Sequence, residues 1–494
     1  MNKHFKRVIA LFTLILTLAA FAACNNDAED PGSKAPESFT PSDNMTELVV
    51  VTNSFCFDAD YEEALNCFNQ KLKDLGKDYY ISFEIINNLP DDENNSESLL
   101  TSYSEKYQTA VAQMKKDNKQ ADVLTMANID DSSGYSDCDF FYLNNLISPL
   151  DDYLSEEKYR SIKEVISEKE WELASRDGKT VIVPTSALSA TGRGWEVDSA
   201  TIKNLGISET DLQHDIWEIL ENDKLKDIKI YSDAMAENYQ SGSGDPLPPY
   251  NAQAYYDLIS SCVGVKLDGG EVEAVNIFED EYMEKSMSVA YKLSGIEDSD
   301  LSLYPTTVVS SKITKIGDNT YIPIDGKTYL SGDLCGLGVP SWSKNKEYAF
   351  DLITELNTNK ELALLLNYGI EGENYTLGSD GSVSVSDSQF EKYKNPYYIF
   401  SNRNILPADD SIIASEDLSS SKLSPICGFI FDNSNVKAEI ESTNKVLVKY
   451  RETLFKGQGD YETLRSEFLN ELEIAGVEAI VDEANRQISA WKEA

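Results

Sequence analysis

The sequence contains only two histidines among its 494 residues, and this scarcity excludes several kinds of site. His4 lies in an N-terminal segment of signal-peptide type, so the mature protein would keep only His214. A histidine-rich zinc or iron site needs several imidazoles, and a Ser-His-Asp or Cys-His enzyme would depend on His214 alone. We therefore expect no catalytic residues and no metal site.

Nucleotide and calcium motifs are also absent. There is no P-loop and no H-E-x-x-H, and Gly336-x-Gly338 lacks the third glycine of a dinucleotide fingerprint. Asn128 and Asp130 begin like an EF-hand loop, but the twelfth position holds Asp139 instead of Glu. We expect no cofactor. A carboxylate pair for glycoside hydrolysis stays open, because only geometry identifies such a pair.

Positive charge is scarce: Lys and Arg number 43 against 85 Asp and Glu, for a net charge of −42. Binding to nucleic acid relies on clustered Lys and Arg, and the sequence has no basic patch, so nucleic acid is excluded as a partner. Dispersed acidity is typical of a solvated surface that resists association, and we expect a monomer.

The sequence has no C-x-x-C pair, which argues against a structural zinc site. Disulfides are possible in an exported chain, but their pairing cannot be deduced from sequence, and we expect mostly buried free thiols. Apart from Cys24, the cysteines are Cys56, Cys67, Cys138, Cys262, Cys335 and Cys427.

Long apolar runs are absent except at the N-terminus, where residues 8–20 form a stretch too short for a stable spanning helix. It ends at Phe21-Ala22-Ala23-Cys24, which resembles a bacterial lipobox with Phe21 in place of the usual aliphatic residue. We predict a signal peptide over 1–23, lipid attachment (palmitate) at Cys24 and a flexible polar tether over 24–46. Plain cleavage nearby is the alternative, and both routes export the chain.

Hydrophobic periodicity predicts alternating strands and helices, hence parallel sheets covered by helices in two α/β units. After 343 the chain is mainly helical, and Thr358-x-x-Glu361 has the form of a capping box. Strands are predicted at 48–51, 81–85, 123–126, 181–184 and 228–231, and helices at 64–75, 100–114, 212–220, 349–356, 464–472 and 480–491.

Several stretches, in order, resemble the solute-binding lipoproteins of bacterial ABC importers, specifically the large carbohydrate-associated family 1. The likeness spans nearly the whole mature chain, and its last part resembles the C-terminal extension of one branch with oligosaccharide-type members. The stretches are 48–75, Ala121-Asp122-Val123-Leu124 through LNNLISPL at 143–150, Gly178-Lys179 to Pro184, VPSWSKNKE at 339–347, LLNYGIEGENY at 365–375, and 428–491.

The resemblance implies an α/β, two-lobed, periplasmic-binding-protein-like fold, in which each lobe is a mixed, mostly parallel sheet flanked by helices. The expected lobes are 47–186 with 338–400, and 187–337 with the helical C-terminal part 401–494. The implied function is capture of a sugar or oligosaccharide in a cleft, without catalysis, for delivery to ABC permease subunits at the extracellular face of the cell membrane. A binder of another solute, such as a peptide, and a surface-anchored glycoside hydrolase are the alternatives.

Candidate ligand residues follow strands, because ligands gather beyond the carboxyl ends of parallel strands, or are aromatic residues in family-like segments. Stacking aromatics and polar side chains complement the apolar face and the hydroxyls of a sugar. Core packing is the alternative for each aromatic, as is carboxylate neutralisation for Arg193. Pivots are predicted at 186–189 and 332–340. The candidates are Asn53, Ser54, Phe55, Asn128, Asp130, Tyr135, Arg193, Trp195, Tyr239, Tyr304, Trp342 and Phe429.

Overall fold

The computed structural model describes most of the chain after residue 38. The described residues are 39–87, 103–127, 136–185, 190–198, 202–203, 206–221, 229–230, 252, 255–293, 302–308, 313–316, 319–324, 327–330, 335–379, 381–390, 392–395, 399–407, 421–450, 453–454 and 458–493.

The described strands are β1 (Thr46–Asn53), β2 (Asp58–Ala59), β3 (Tyr79–Ile86), β4 (Val123–Met126), β5 (Ser175–Arg176), β6 (Lys179–Thr180), β7 (Val183–Pro184), β8 (Ala190–Asp198), β9 (Lys229–Ile230), β10 (Tyr256–Leu258), β11 (Val263–Lys266), β12 (Ala274–Asn276), β13 (Ser302–Val308), β14 (Thr314–Ile316), β15 (Asn319–Pro323), β16 (Tyr329–Leu330), β17 (Gly336–Gly338), β18 (Thr376–Leu377), β19 (Val383–Ser384), β20 (Tyr393–Lys394) and β21 (Lys422–Leu423).

The described α-helices are α1 (Glu62–Asp74), α2 (Tyr103–Lys116), α3 (Asp137–Leu143), α4 (Asp151–Leu154), α5 (Arg160–Val165), α6 (Glu168–Leu173), α7 (Ile216–Glu221), α8 (Glu281–Leu293), α9 (Lys346–Thr358), α10 (Lys360–Asn367), α11 (Asp387–Phe390), α12 (Lys437–Tyr450), α13 (Tyr461–Ala475) and α14 (Val477–Glu493). Short 3-10 turns lie at Glu157–Tyr159, Glu209–Leu212, Ile277–Glu279 and Asn433–Asn435.

A five-stranded sheet in the order β3-β1-β4-β17-β7 forms the centre of lobe 1. β1 is parallel to β3 and β4, whereas β17 is antiparallel to both β4 and β7. Successive side chains of β1 pack on opposite faces: Leu48 and Val50 join the core under α1 and α9, and Val51 joins the core under α2 and α3. The predicted sheet with helices on both faces is therefore confirmed in lobe 1.

Helix α1 shows how the local sequence produces these elements. Ala64, Phe68 and Leu72 are spaced four residues apart and bury one face against the sheet. Acidic residues occupy its first turn and lysines its last turn, which complements the helix dipole. Gly76 follows its end with φ +76°, a left-handed conformation that glycine adopts without strain, as predicted.

Lobe 2 differs from the expectation in its strand directions. Its larger sheet has the order β14-β15-β8-β13-β9, and β9–β13 is the one parallel pair in that order. A second sheet, β10-β11-β12, is antiparallel throughout. Helices α8, α12, α13 and α14 bury their apolar faces in one core with these sheets. The C-terminal part is thus helical, as predicted, and is continuous with lobe 2.

Three stretches connect the lobes, and their described ends form one small ribbon. β16 pairs antiparallel with Ala190 and Thr191 at the start of β8, and parallel with β21. The predicted pivots 186–189 and 332–334 lie outside the described residues. The second predicted pivot, 332–340, also contains β17 (Gly336–Gly338), and β17 is a strand of the lobe 1 sheet. Lobe 1 therefore resumes before residue 338, where we had placed its boundary.

One predicted cap is wrong. Thr358 is the last residue of α9, and its hydroxyl bonds back to the carbonyl of Thr354. Helix α10 is instead capped by Asn359, whose Oδ1 accepts from the amides of Glu361 and Leu362. Asparagine is as good an N-cap as threonine, so the capping-box pattern placed the helix start one residue early.

The six described cysteines are free thiols. Cys56, Cys138 and Cys262 are buried, and the other three are partly buried. Among the described residues no helix is long and apolar enough to cross a bilayer.

Candidate ligand-binding cleft

The carboxyl ends of β1, β3, β4 and β7 share one edge of the lobe 1 sheet, and this edge faces lobe 2. β7 runs in the direction of β4, because both are antiparallel to β17. The chain passes from lobe 1 to lobe 2 for the first time after Thr185. It returns to lobe 1, in the second crossing, before Cys335. The amide of Thr185 donates to the carbonyl of Cys335 at 3.0 Å. This edge therefore borders the space between the lobes.

Asn53, Ser54 and Phe55 follow β1 at this edge, as predicted. Asn53 is 3% exposed, and its Oδ1 accepts from the amide of Cys56 at 3.0 Å, so this side chain stabilises its own turn. Ser54 Oγ donates to Oδ1 of Asn87 at the end of β3, 3.2 Å away. Phe55 is partly buried against the lobe 1 core. Ser54 and Asn87 thus present hydroxyl and amide groups at the edge.

Arg193 lies at the end of lobe 2 that faces lobe 1. It stands three residues after the start of β8, which the chain enters directly from the first crossing. Its Nη1 contacts both carboxylate oxygens of Asp215 at 3.0 Å. The hydroxyl of Tyr255 donates to Asp215 Oδ1 at 2.7 Å, and the Arg193 guanidinium lies over the Tyr255 ring at 4.2 Å. The alternative predicted for Arg193, neutralisation of a carboxylate, is what the geometry shows.

Burial shifts the pKa of two members of the triad formed by Arg193, Asp215 and Tyr255. Desolvation raises the pKa of Asp215, while Arg193 and the Tyr255 hydroxyl act in the opposite direction. Burial and the neighbouring Tyr282 and Asp215 raise the pKa of Tyr255, so its hydroxyl keeps the proton that it donates. The side chains of Arg193 and Asp215 are each 16% exposed, so the triad reaches the surface.

Trp195 occupies the lobe 2 core. Its side chain is 1% exposed, and its Nε1 donates to the carbonyl of His214 at 3.0 Å. It points to the same face of β8 as Arg193, two residues earlier, but deeper under α7 and the 3-10 turn before it. This is the core-packing alternative for Trp195, and the placement argues against contact with a ligand.

Trp342 lies at the opposite edge of the lobe 1 sheet. β17 runs from Gly336 beside Met126 to Gly338 beside Leu124, so the chain then passes the amino end of β4. There Nε1 of Trp342 donates to the carbonyl of Lys119 at 2.8 Å. Because the crossings meet the carboxyl edge, this placement argues against the stacking role that we predicted for Trp342.

Phe429 packs against the lobe 2 core, where its ring meets Trp491 edge-on at 5.7 Å. The preceding Gly428 has φ +81°, and a side chain there would approach the carbonyl of Ser175 in lobe 1 to 3.1 Å. The first turn of the C-terminal part therefore touches both lobes, with Phe429 on the lobe 2 side.

The remaining candidates are not placed. Asn128, Asp130, Tyr135 and Tyr239 lie outside the described residues, as does the side chain of Tyr304, whose backbone pairs with Glu196. They stay predictions.

Asp215 and Tyr255 were missed by reasoning from sequence. Asp215 directly precedes helix α7, where a polar residue is a common helix start signal. The sequence therefore offered only a weak indication that this side chain could take part in a site. Tyr255 had none, because it meets Asp215 across 40 residues of chain. In the described part of the chain no group of three or more His, Cys, Asp or Glu side chains could hold a metal ion.

Solved structures share this two-lobed architecture. The N-glycan transport solute binding protein of Streptococcus pneumoniae matches with a TM-score of 0.63 at 16% identity, over 90% of this chain and 98% of that one. Its complex with Man1GlcNAc gives 0.56 at 17% identity, covering 91% and 100% of the two chains. Its complex with Man5GlcNAc gives 0.51 at 16% identity, covering 89% and 97%. This chain has the solute-binding-protein fold.

Sequence comparisons add to the fold. A carbohydrate ABC transporter substrate-binding protein of Streptococcus pneumoniae serotype 4 is 31% identical over 160 residues. That match covers 29% of this chain and 31% of the relative, so it spans less than a third of either. Residues 425–493, which include α12 to α14, match a family model described as a domain of unknown function, DUF3502. The resemblance seen in the sequence, C-terminal extension included, is confirmed.

Proposed function

We propose that this chain is the extracellular solute-binding component of an ABC importer, and that it captures a sugar or oligosaccharide between its lobes and delivers it to permease subunits. The observation that carries the proposal is the match of the whole two-lobed fold to a glycan-binding solute-binding protein. The name of the 31% identical relative supports both the carbohydrate and the importer.

The chemistry of the two edges suits a polyhydroxyl ligand. Ser54 and Asn87 offer hydroxyl and amide groups, and Asp215 offers a carboxylate acceptor. A sugar hydroxyl both donates and accepts, so groups of each kind can pair with it. The proposed role is binding without catalysis.

Membrane attachment is proposed through lipid on Cys24, with the residues between Cys24 and Phe39 as a tether. The predicted tether end at 46 is too late, because the Phe39 ring packs against Tyr80 and Thr46 is the first residue of β1. The support is the lipobox-like sequence and the polar composition that follows it. Such an anchor would hold the folded lobes at the outer face of the membrane, next to the permease, and we propose that the protein acts there as a monomer.

A thermal-shift screen tests the function. A ligand that binds only the native state raises the free energy of unfolding by about 2.7 kcal/mol at a concentration one hundred times its Kd. The melting temperature rises as a result. The panel contains Man1GlcNAc, Man5GlcNAc, other oligosaccharides and short peptides. We expect glycans to raise the melting temperature and peptides to leave it unchanged.

Two results would favour the alternatives. A shift with peptides and none with glycans would point to another solute class. Release of reducing sugar from a polysaccharide would establish a glycoside hydrolase, which needs two carboxylates about 5–10 Å apart.

A further inference from the structure

Residues 421–429, which we call the strap, join the third crossing to the helices of the C-terminal part. The strap includes β21, and beyond that strand the amide of Ser424 donates to the carbonyl of Leu330 in β16 at 2.9 Å. From residue 425 onward its residues lie in the segment that matches the family model. The strap is therefore the piece of chain through which the C-terminal extension meets the rest of the protein.

One set of strap side chains contacts lobe 2. Ile426 is 6% exposed and lies in the lobe 2 core, and Phe429 packs against the same core. The hydroxyl of Ser424 donates to the carboxylate of Asp257 in β10. Because α12, α13 and α14 share this core, the strap is fixed to lobe 2 together with the C-terminal helices.

The strap also contacts lobe 1 at both of its ends. At its start, Nζ of Lys169 in α6 donates to the carbonyl of Ser421 at 2.7 Å. Near its end, a Cβ added to Gly428 would lie 3.1 Å from the carbonyl oxygen of Ser175 in β5. Two apolar side chains between these points pack against the cluster that lobe 1 shares with β16: Leu423 and Cys427. The strap thus contacts both lobes at once.

The lobe 1 side of the contact at Gly428 is held in place by its own bonds. The carbonyl of Ser175 accepts from Nη1 of Arg176, a side chain that is 3% exposed. Nε of Arg176 contacts Asp139 at 2.5 Å, and β5 pairs with β6. Gly428 has φ +81°, and its close approach to Ser175 leaves little room for a side chain. A group added there would therefore displace the strap rather than lobe 1.

We infer that the strap limits how far the lobes separate, that it stays in contact with lobe 1 when solute is bound, and that it raises solute affinity by this restraint. This inference rests on the proposed function and adds a conformational element to it. Rotation about the strap keeps both sets of contacts, whereas wider separation breaks those with lobe 1, because the strap is fixed to lobe 2. A narrower range of open conformations leaves a larger fraction of the free protein competent to bind, and the apparent Kd equals the intrinsic Kd divided by that fraction.

Gly428→Ala tests the contact with lobe 1. Its control is Gly372→Ala: Gly372 has φ +86°, and no described atom lies within 4 Å of a Cβ added there, so both variants share the cost of a left-handed alanine. Calorimetry measures Kd for a glycan that raises the melting temperature in the screen. We expect Gly428→Ala to weaken binding by about threefold or more, and Gly372→Ala to stay within about 1.5-fold of the unmodified protein.

Lys169→Met is a second variant, which leaves the strap's own sequence unchanged and keeps the test open if Gly428→Ala does not fold. It removes the bond to Ser421 and retains an apolar side chain. The exposed Lys163 in α5 provides the control for the lost charge, as Lys163→Met. We expect Lys169→Met to weaken binding about twofold and Lys163→Met to leave Kd unchanged. Small-angle scattering of the ligand-free proteins should show a larger radius of gyration in Gly428→Ala and Lys169→Met than in their controls.

The thiol of Cys427 reports directly on the contact, because it is partly buried against the lobe 1 cluster. Mass spectrometry of the labelled peptide measures its rate of reaction with a thiol reagent, with and without saturating glycan. Such a thiol reacts when the strap opens locally, so binding that holds the lobes together should slow the labelling by about threefold or more. Cys67 in α1 lies within lobe 1 and is the control, and its rate should not change.

The outcomes separate the two proposals. If no glycan binds, the proposed function fails, and scattering of the free variants still decides whether the strap limits lobe separation. If glycan binds to Gly428→Ala and Lys169→Met as tightly as to their controls, or more tightly, the function stands and this inference is overturned. Faster labelling of Cys427 in the complex would show that the strap leaves lobe 1 on binding, which also overturns it.

Discussion

The side-chain amide of Asn402 donates to Glu170 Oε1 at 2.9 Å, and also to the carbonyl of Pro184 at 2.9 Å. Glu170 is 4% exposed, and its other oxygen accepts from the amide of Ser167 at the start of α6. Pro184 precedes the first crossing, and Asn402 precedes the third. This pair therefore ties together two of the places where the chain leaves lobe 1.

We expect Asn402→Ala to lower the free energy of unfolding by about 2–4 kcal/mol, because a buried carboxylate loses a donor and a buried carbonyl loses its partner. Urea denaturation measures the loss. The control is Asn404→Ala: this residue is exposed, and its side-chain amide donates to the carbonyl of Val165 at 3.0 Å and to Glu170 at 3.4 Å, so its loss should stay below about 1 kcal/mol. If both variants lowered the free energy of unfolding equally, the buried bonds of Asn402 would contribute no more to stability than the exposed ones of Asn404.

The two tryptophans predicted to bind ligand should behave as structural residues. Trp195→Ala removes a fully enclosed indole and should cost about 3–5 kcal/mol of stability. Trp342→Ala should cost about 1–3 kcal/mol through its bond to Lys119 and its partly buried ring. Affinity of the folded variants for a glycan should change less than about twofold. A normal melting temperature with tenfold weaker binding in Trp342→Ala would restore the stacking role.

Ligand binding should close the lobes about the ribbon of β8, β16 and β21. Hinge closure absorbs the change in a few connecting residues and leaves the packed lobes intact, so small-angle scattering should show a smaller radius of gyration with saturating glycan. A sugar that gives no thermal shift is the control and should leave the curve unchanged. Identical curves with and without the binding glycan would contradict a hinge.

Acid should weaken the C-terminal part through Glu483 in α14. Hydrogen bonds from Arg486, Gln487 and Asn435 lower the pKa of Glu483 to about 2. Because the folded pKa lies below the usual 4.5, this contribution is complete above pH 4.5 and is lost as the pH falls toward 2. Glu483→Gln should remove it, by about 1 kcal/mol at neutral pH, since solvent screens surface pairs. Stability curves of the two proteins should converge toward pH 2; a constant gap would contradict the assignment.

Cys24→Ala should release the protein from the membrane fraction into the medium while glycan affinity stays unchanged, because the polar segment between Cys24 and Phe39 would separate the anchor from the fold. Cell fractionation followed by calorimetry on the released protein measures both. Ser33→Ala in the same polar segment is the control and should stay with the membrane. A membrane-bound Cys24→Ala protein would show that the lipobox interpretation is wrong.

Secondary structure in lobe 1 and in the C-terminal part was predictable from sequence. The strand at 48–51, the helix at 64–75 and the helices at 464–472 and 480–491 correspond to β1, α1, α13 and α14. Each signal comes from residues within one or two turns of each other, because the burial of one face dictates the spacing of apolar residues. The predicted start of α10 was wrong because Asn359, next to Thr358, is also a good N-cap residue and is the one that caps the helix.

The sequence by itself determined the exclusions, the order of these elements and the family likeness, because composition, spacing and motif order are properties of the chain alone. Only the tertiary structure decided that Arg193 pairs with Asp215 and Tyr255, that lobe 2 is mostly antiparallel, and that Trp342 lies at the edge away from the crossings. Strand direction and side-chain partnership join residues tens to hundreds of positions apart. Local periodicity says which face of an element is buried, but it does not say which distant side chain meets it.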